Sequence, residues 1–186
     1  MTGLVVYRVT RREYARDLAQ LLDGEGGRQA SGRWHVRGSP VAYFAESRAL
    51  CMLERLVHLS VHPRDDHAPL VAAKLVIPKE LSAPSAIRRI SAEELDAQDP
   101  VWRQPGNRTC LRIGALWFKE REHYVLQVPS AIVREEYNLV VNCTHPTVKD
   151  LINTGGFVTA PISVDARIAE VIDAKALQRR RTKWAT

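Results

Sequence analysis

The sequence VAYFAESRALCMLERLVHLS, at positions 41–60, decides the fold class because it joins a strand to a helix. Its first four residues, Val41 to Phe44, are rich in β-forming side chains and predict a strand. Ser47 is a suitable N-cap, and the residues after it predict a helix that runs to about Ser60. A strand that leads directly into a helix predicts a domain that contains both.

Similar patterns on both sides of this stretch predict further strands and helices. The predicted strands are residues 4–9, 70–77, 124–128, 137–142 and 157–164. The predicted helices are residues 13–22, residues 107–122 and a short helix that opens at residues 145–146. Five glycines predict a loop over residues 23–40, and flanking prolines predict a surface excursion over the polar residues 84–105. Strands interrupted by single helices predict one α+β domain over residues 1–168, with a mixed β-sheet core and flanking helices.

The C-terminal residues 169–186 form a basic tail or helix in this prediction. Residues 174–186 contain no acidic residue and supply +5 of the formal net charge of +6, through Lys175, Arg179, Arg180, Arg181 and Lys183. Such a tail can contact nucleic acid, but it is more often a solvated chain end. The nearly neutral remainder and the lack of a DNA-reading motif argue against a nucleic-acid-binding module, which stays a second alternative.

The cysteine content and the hydropathy of the sequence indicate the cellular compartment of the protein. The three cysteines, Cys51, Cys110 and Cys143, are odd in number and far apart, so they predict free thiols in a reducing environment. No apolar run approaches the length that spans a bilayer, and the N-terminus lacks a signal-peptide pattern. We therefore expect a cytoplasmic protein with no membrane partner.

An acidic residue interrupts the apolar face of the helix that follows Ser47. Leu50, Leu53 and Val57 recur at the spacing of a buried helix face, and Glu54 lies on the same side. A carboxylate on such a face costs free energy unless it is paired or hydrogen-bonded. From periodicity alone, the more frequent explanation is a structural ion pair with a buried arginine. The other explanation is a carboxylate that faces a polar ligand cavity.

Two further segments carry side chains that suit a nucleotide ligand. Gly32-Arg33-Trp34 places a guanidinium and an indole next to flexible backbone, and Arg33 could grip a pyrophosphate while Trp34 and Tyr43 offer stacking surfaces. The alternative is a turn in which Trp34 fills the core and Arg33 points to solvent. Ser130 follows a strand-ending proline and could orient a ligand, although serines after proline are usually turn residues.

Other candidate groups carry less information. Asn138, Asn142 and His145 could contact a ligand, but capping and turn roles are as frequent. His58 and His62 have a metal-like spacing without a third ligand, so we expect no metal. No glycine-rich nucleotide-binding fingerprint, GxSxG elbow or GK[ST] motif is present. We also expect no prosthetic group.

An ordered set of short motifs resembles the RES family, the toxin half of RES–Xre toxin–antitoxin systems. The motifs are Tyr7-Arg8, Gly32-Arg33-Trp34, Val41-Ala42-Tyr43, Ser47 with Leu50, Leu53 and Glu54, Gly114 with Trp117, Val128-Pro129-Ser130-Ala131, Tyr137-Asn138-Leu139, Asn142 with His145-Pro146, and Asp165-Ala166-Arg167. The family is named for its Arg, Glu and Ser, which match Arg33, Glu54 and Ser130. His35 departs from the pattern, because an Asn is more usual after the Trp.

The resemblance implies a fold like that of ADP-ribosyltransferases and an enzyme that acts on NAD as its substrate. The implied reaction breaks the nicotinamide–ribose bond by hydrolysis or phosphorolysis, which depletes NAD and arrests growth. ADP-ribosyl transfer to a protein is the alternative, and the sequence does not separate the two. The implied partner is an Xre-like antitoxin that blocks the active site and links the toxin to DNA only indirectly. A homodimer is also compatible with the sequence.

The resemblance also implies roles for individual residues. Glu54 would stabilise the positive charge that develops on the ribose. Arg33 would grip the pyrophosphate, with Arg8 as support. Tyr43 would stack on the nicotinamide and Ser130 would hydrogen-bond its amide or the ribose, with Trp34 and Asn142 completing the binding residues.

Overall fold

Seven strands form one mixed sheet in the computed structural model, which describes residues 3–59, 69–162 and 167. The strands are β1 (Leu4–Arg11), β2 (Val41–Ala45), β3 (Leu70–Ile77), β4 (Ile87–Arg89), β5 (Val125–Pro129), β6 (Tyr137–Asn142) and β7 (Gly156–Pro161). Their order across the sheet is β4-β5-β6-β2-β1-β3-β7. β4 and β5 are parallel, and the other neighbouring strands are antiparallel.

Six α-helices flank the sheet in the described residues. They are α1 (Leu18–Leu21), α2 (Glu25–Gln29), α3 (Arg48–Leu59), α4 (Ala92–Gln98), α5 (Arg108–Glu120) and α6 (Thr147–Thr154). The predicted α+β class, with a mixed sheet and flanking helices, is therefore confirmed. No helix among the described residues is long and apolar enough to cross a membrane. The basic segment 169–186 lies outside the described residues, as do residues 163–164 at the end of the last predicted strand.

The sheet is nearly divided between β1 and β2. β1 pairs with β3 from Leu4 to Arg11, but its described pairing with β2 is confined to Tyr7 opposite Ala45. Just beyond that pair, the backbone N–H of Val9 donates to Sγ of Cys51, at 2.9 Å, instead of to a β2 carbonyl. Because Cys51 belongs to α3, this helix lies over the junction between the two halves of the sheet.

The two faces of the sheet bury separate cores. On one face Val6, Phe44, Leu75, Val125 and Leu139 pack against residues of α1 and α6. The opposite face carries two clusters. The larger contains Trp34, Trp102, Trp117, Leu126 and Val140, and the smaller joins Leu50 and Cys51 of α3 to Tyr7 and Val9. Because side chains alternate between the two faces along each strand, only those on the α3 side of the sheet can contact α3.

Three expectations about individual segments are wrong. Residues 23–40 include α2, and residues 84–105 are not a surface excursion, because they contain β4 and α4 and bury Leu95 and Trp102 completely. Residues 13–22 do not form one helix, because a 3-10 turn over Arg12–Tyr14 ends before Asp17 caps the separate helix α1.

The apolar face predicted for α3 is only partly buried. Leu50 is fully buried, as expected, whereas Leu53 and Val57 are 42% and 48% exposed. Leu50 and Cys51 pack against Tyr7 and Val9, and among the described residues no later residue of α3 belongs to that cluster. The N-cap prediction is confirmed, since the N–H of Leu50 donates to Oγ of Ser47 at 3.0 Å.

Candidate active site

A carboxylate and two polar side chains meet where α3 crosses the ends of β5 and β6. Oε1 of Glu54 accepts a hydrogen bond from Oγ of Ser130, at 2.9 Å, and one from Nδ2 of Asn138, at 2.7 Å. Asn138 lies opposite Ala45 and Val128 on the face that α3 covers. Three separate segments therefore converge on one carboxylate oxygen.

Glu54 is half-buried and has no ion pair among the described residues. Both of its hydrogen bonds end on Oε1, and Oε2 has no hydrogen-bond partner in the described part of the chain. The donors are a hydroxyl and an amide, which are neutral, so the negative charge is oriented without being cancelled. This is the arrangement expected of a carboxylate that acts on a substrate, and it differs from the structural ion pair that periodicity alone favours.

Ser130 is fully buried and every hydrogen-bonding position of its hydroxyl is used. Oγ accepts the N–H groups of Ile132 and Val133, at 3.0 and 3.1 Å, and donates its proton to Glu54. The two accepted bonds fix the direction of the donated one. In this arrangement Ser130 positions Glu54, and the direct substrate contact predicted for its hydroxyl stays a prediction.

Tyr43 and His35 form a second polar pair on the same face of the sheet. Nδ1 of His35 lies 2.8 Å from the Tyr43 hydroxyl, and Nε2 lies 2.9 Å from the carbonyl oxygen of Ala30. Since that carbonyl can only accept, Nε2 carries the proton and Nδ1 accepts from the tyrosine. The N–H of Trp34 also donates to the Tyr43 hydroxyl, at 3.2 Å, so the phenol is held from two sides.

Burial sets the protonation states of this pair. It lowers the pKa of His35, which is 5% exposed, and raises the pKa of Tyr43. The charges of Arg33 and Glu54 act on the pKa of Tyr43 in opposite directions, which places this hydroxyl within electrostatic range of both. An added Cβ at Gly32 would lie 2.6 Å from Cε1 of His35, so a larger residue there would displace the His35 side chain.

Acidification is expected to destabilise the fold through His35. Its pKa is lower in the folded chain than in the unfolded chain, so below about pH 6.5 the unfolded chain binds more protons and gains stability. Stability present above that pH is therefore lost as the pH falls, at no more than about 1.4 kcal/mol per pH unit. Urea unfolding at pH 7.5 and pH 5.5 measures the loss, which we expect to be smaller in His35→Asn. An equal loss in the parent and in His35→Asn would refute the assignment.

The guanidinium of Arg33 organises a neighbouring loop. Nη1 donates to the carbonyls of Trp102 and Gln104, at 2.6 and 2.9 Å, and Nη2 donates to that of Arg103 at 3.0 Å. Three of its five N–H groups are thus bound to protein backbone. The pyrophosphate contact predicted for Arg33 stays a prediction, since the structure gives the guanidinium these other partners.

Comparison with known proteins identifies the family. The model of the RES domain family matches residues 5–165, which is most of the sequence. The chain belongs to the RES domain family. Among its relatives, this RES domain is 33% identical over 150 residues to Toxin Res of Photorhabdus laumondii, covering 79% of the chain and 85% of that toxin.

One further relative is named as a toxin, and one solved structure shares the fold. It is 33% identical over 132 residues to the Prs ADP-ribosylating toxin of a Sphingobium species, covering 70% of the chain and 77% of that protein. Its fold matches a chain in the crystal structure of the M. tuberculosis MbcT–MbcA toxin–antitoxin complex, with a TM-score of 0.65 and 18% identity, over 93% of this chain and 90% of that one. The predicted single α+β domain is therefore shared with a chain of solved structure.

The structure does not bring three of the predicted binding residues to Glu54. Arg8 shares the sheet face of Val6, away from α3, and Nη1 donates to the carbonyl of Leu21 at 2.7 Å. Trp34 is 2% exposed inside the larger cluster, as the core-filling alternative predicted. Asn142 is fully buried and lies about 13 Å along β6 from Asn138. Its Oδ1 accepts from Thr144, so it stabilises the turn after the strand.

Two residues of the candidate site were not among the predicted site residues. Asn138 was considered only as a ligand contact or turn residue, and its bond to Glu54 depends on strand pairing that the sequence does not reveal. An asparagine inside a strand is nonetheless a signal, because strands are depleted in it. His35 was singled out as a departure from the family pattern, and its contact with Tyr43 explains how that position is used.

The described residues of this RES domain contain no group of three His, Cys, Asp or Glu side chains that could hold a metal ion. His58 has a side chain that is not described, and His62 lies outside the described residues.

Proposed function

We propose that this chain is the toxin of a toxin–antitoxin pair and cleaves the nicotinamide–ribose bond of NAD. The observation that carries the proposal is the carboxylate of Glu54, held by two neutral donors and with no ion pair among the described residues. Membership of the RES domain family and the similarity to proteins named as toxins support the same conclusion.

The proposed reaction needs one carboxylate rather than two. The nicotinamide of NAD is a pyridinium cation, so it leaves with the bonding electron pair as a neutral molecule and needs no proton from the protein. Glycoside hydrolases, by contrast, use a second carboxyl group to protonate the departing oxygen. A single oriented carboxylate next to the ribose therefore suffices to stabilise the oxocarbenium-like centre.

Each neighbouring residue has a defined task in this proposal. Ser130 and Asn138 fix Oε1 of Glu54, which leaves Oε2 to face the anomeric carbon or a ribose hydroxyl. The ring of Tyr43, whose hydroxyl is held by His35 and Trp34, packs against the nicotinamide. In hydrolysis, water then bonds to the anomeric carbon and loses a proton, giving nicotinamide, ADP-ribose and a proton.

Transfer of ADP-ribose to a protein is the second candidate function. It is favoured by the 33% identity to a protein named as an ADP-ribosylating toxin. Transfer and hydrolysis share the departure of nicotinamide and differ in the acceptor that bonds to the anomeric carbon. The site around Glu54 serves either reaction.

The proposed partner is an Xre-like antitoxin that covers the active site and is itself the DNA-binding component. The structural similarity to a chain of a toxin–antitoxin complex supports a partner of this kind. The exposed side chains of Leu53 and Val57, one and two turns from Leu50 on α3, offer apolar surface next to Glu54 for such a contact.

NAD labelled in its adenosine half tests the proposal and separates the reactions. We expect the purified chain to release nicotinamide. Labelled free ADP-ribose would mean hydrolysis, its phosphate ester in phosphate buffer would mean phosphorolysis, and a labelled protein band in the presence of a cell lysate would mean transfer. If no nicotinamide is released with water, phosphate or lysate as the acceptor, the proposed function is wrong.

A further inference from the structure

A second hydrogen bond joins α3 to the loop between β5 and β6, whose first and last residues are Ser130 and Glu136. Oγ of Ser47, the N-cap of α3, donates to Oε2 of Glu136 at 2.6 Å and accepts the N–H of Leu50 at 3.0 Å. Among the described residues the carboxylate of Glu136 has no ion pair. Its negative charge therefore lies at the start of α3, where the helix dipole favours it.

This bond mirrors the one between Ser130 and Glu54. In both, a serine hydroxyl donates to a glutamate, but here the helix supplies the serine and the loop supplies the glutamate. Ser47 and Glu54 are seven positions apart, which is about two helical turns and about 10 Å along the axis of α3. Both side chains therefore project from the same side of the helix. The loop holds α3 at two points.

The main chain of Glu136 connects these two points. Its carbonyl oxygen accepts the N–H of Ser130 at 2.8 Å, and its own N–H donates to the carbonyl of Val133 at 3.1 Å. Ser130 in turn donates its hydroxyl proton to Glu54. Glu136 thus binds the start of α3 through its side chain and the partner of Glu54 through its backbone, so a movement of this residue affects both.

Polar contacts matter for α3 because its apolar contact with the sheet is small. Among the described residues, Leu50 and Cys51 are the members of α3 that belong to a buried apolar cluster, whereas Leu53 is exposed. A helix that is packed mainly through one turn can pivot about that turn. The hydrogen bonds of Ser47 and Glu54 lie on either side of Leu50 along the helix, and they oppose this movement.

We propose that Glu136 is a positioning residue for Glu54 and acts through Ser47. The proposal rests on the proposed function, because it concerns the carboxylate that the reaction uses. Without the bond to Glu136, the first turn of α3 can shift and carry Glu54 away from the ribose. A misplacement of about 1 Å at a reacting group can cost about a hundredfold in rate, so a small shift is sufficient.

Steady-state kinetics of nicotinamide release test this role. Glu136→Ala removes the acceptor for Ser47, and we expect kcat to fall by about tenfold to a hundredfold while KM for NAD changes by less than about twofold. KM is spared because the charge of Glu54 acts on the transition state more than on bound NAD. Glu136→Gln keeps an oxygen that can accept from Ser47, so it should retain most of the parent's kcat. Equal losses in the Ala and Gln variants would overturn the proposal.

Asp17→Ala is the matched control for loss of stability. Asp17 caps α1, where its carboxylate accepts the N–H of Gln20 at 2.7 Å. The substitution removes a carboxylate from the start of a helix on the other face of the sheet, so it should lower the resistance to urea and leave kcat unchanged. If kcat falls in proportion to urea resistance in both variants, Glu136 serves the fold alone and the proposal is wrong.

A double variant tests whether Glu136 acts through Ser47. Ser47→Ala removes the donor, so the addition of Glu136→Ala should lower kcat by no more than about a further twofold. Two independent losses that multiply in the double variant would contradict the proposed route. If Glu136→Ala does not fold, Glu136→Asp provides the same test, because its shorter side chain keeps the charge and withdraws the carboxylate from Ser47.

Amide hydrogen exchange tests the attachment of α3 in the absence of NAD. The N–H of Val9 donates to Sγ of Cys51, so its exchange rate reports how closely α3 lies on the sheet. We expect this amide to exchange faster in Glu136→Ala than in the parent or in Asp17→Ala. An unchanged exchange rate in Glu136→Ala would mean that the position of α3 does not depend on the bond to Ser47.

The positioning role and the proposed function can fail separately. If the parent releases no nicotinamide but Val9 exchanges faster in Glu136→Ala, the attachment of α3 stands and the proposed reaction is wrong. If the parent releases nicotinamide and Glu136→Ala has the parent's kcat, the reaction stands and the positioning role is wrong.

Discussion

Glu54→Gln is expected to lower the rate of nicotinamide release from NAD by about 10³-fold while leaving the fold intact. The amide oxygen of Gln can still accept the hydrogen bonds from Ser130 and Asn138, so the contacts that hold the side chain are kept. What is lost is the negative charge opposite the developing oxocarbenium centre. Removal of one preorganised electrostatic group commonly costs about 10²–10³ in rate, and here the group carries a full charge.

The matched control for this variant is Glu135→Gln. Glu135 is exposed, precedes Glu136 in the loop between β5 and β6, and loses the same charge on substitution. Initial rates of nicotinamide release at saturating NAD should be unchanged in the control. If Glu54→Gln releases nicotinamide at the parent's rate, the carboxylate is not the group that drives the reaction.

Gly114→Ala is expected to destabilise the chain by about 3 kcal/mol or more. An added Cβ in α5 would lie 1.9 Å from the carbonyl oxygen of Trp34 and 2.6 Å from its carbonyl carbon. These are backbone atoms of a buried residue, so the helix or the loop must move. Movement of Trp34 also disturbs its N–H bond to Tyr43, so nicotinamide release should fall as well. Urea denaturation monitored by circular dichroism measures the free energy of unfolding.

Gly26→Ala is the control for this second prediction. Gly26 lies inside α2, and nothing stands within 4 Å of an added Cβ. The added methyl group reduces the conformational entropy of the unfolded chain and causes no strain in the helix. This variant should therefore be more stable by about 0.4–1 kcal/mol. A Gly114→Ala protein as stable as the parent would mean that α5 does not pack this closely on the backbone of Trp34.

The α3 segment was predictable because its signals are local. Ser47 caps the helix, and the helical spacing places Glu54 near Leu50 and therefore close to the sheet. The same periodicity overestimated the buried face, because burial of Leu53 and Val57 depends on how much of the helix the sheet covers. Spacing within a helix does not report the width of the surface on which it packs.

The segment over residues 84–105 was not predictable from local pattern alone. β4 is only three residues long, and it is stabilised by parallel pairing with β5, whose first residue is 38 positions after Ile87. The helix after it did carry a local signal, since Ser91 and Glu94 form a capping box at the start of α4. That signal, and the buried Trp102, separate this segment from an ordinary polar loop.

In the candidate site, too, the contacts that depend on pairing between distant segments could not be predicted from local sequence. The proximity of Glu54 and Ser130 was inferred through the family resemblance and is present as a direct hydrogen bond. The contact of Asn138 with Glu54 depends on the register of β2 with β6, which no short-range pattern reports. The partners of Arg33 depend on a loop about 70 positions away, so the backbone contacts of its guanidinium could not be foreseen.

A crystal structure of the Glu54→Gln protein with bound NAD would show whether the side chain at position 54 faces the reacting ribose. We expect the anomeric carbon of the nicotinamide ribose to lie beside the side chain at position 54, on the side that Ser130 and Asn138 leave unoccupied. NAD bound elsewhere on the surface, with its ribose out of reach of position 54, would contradict it.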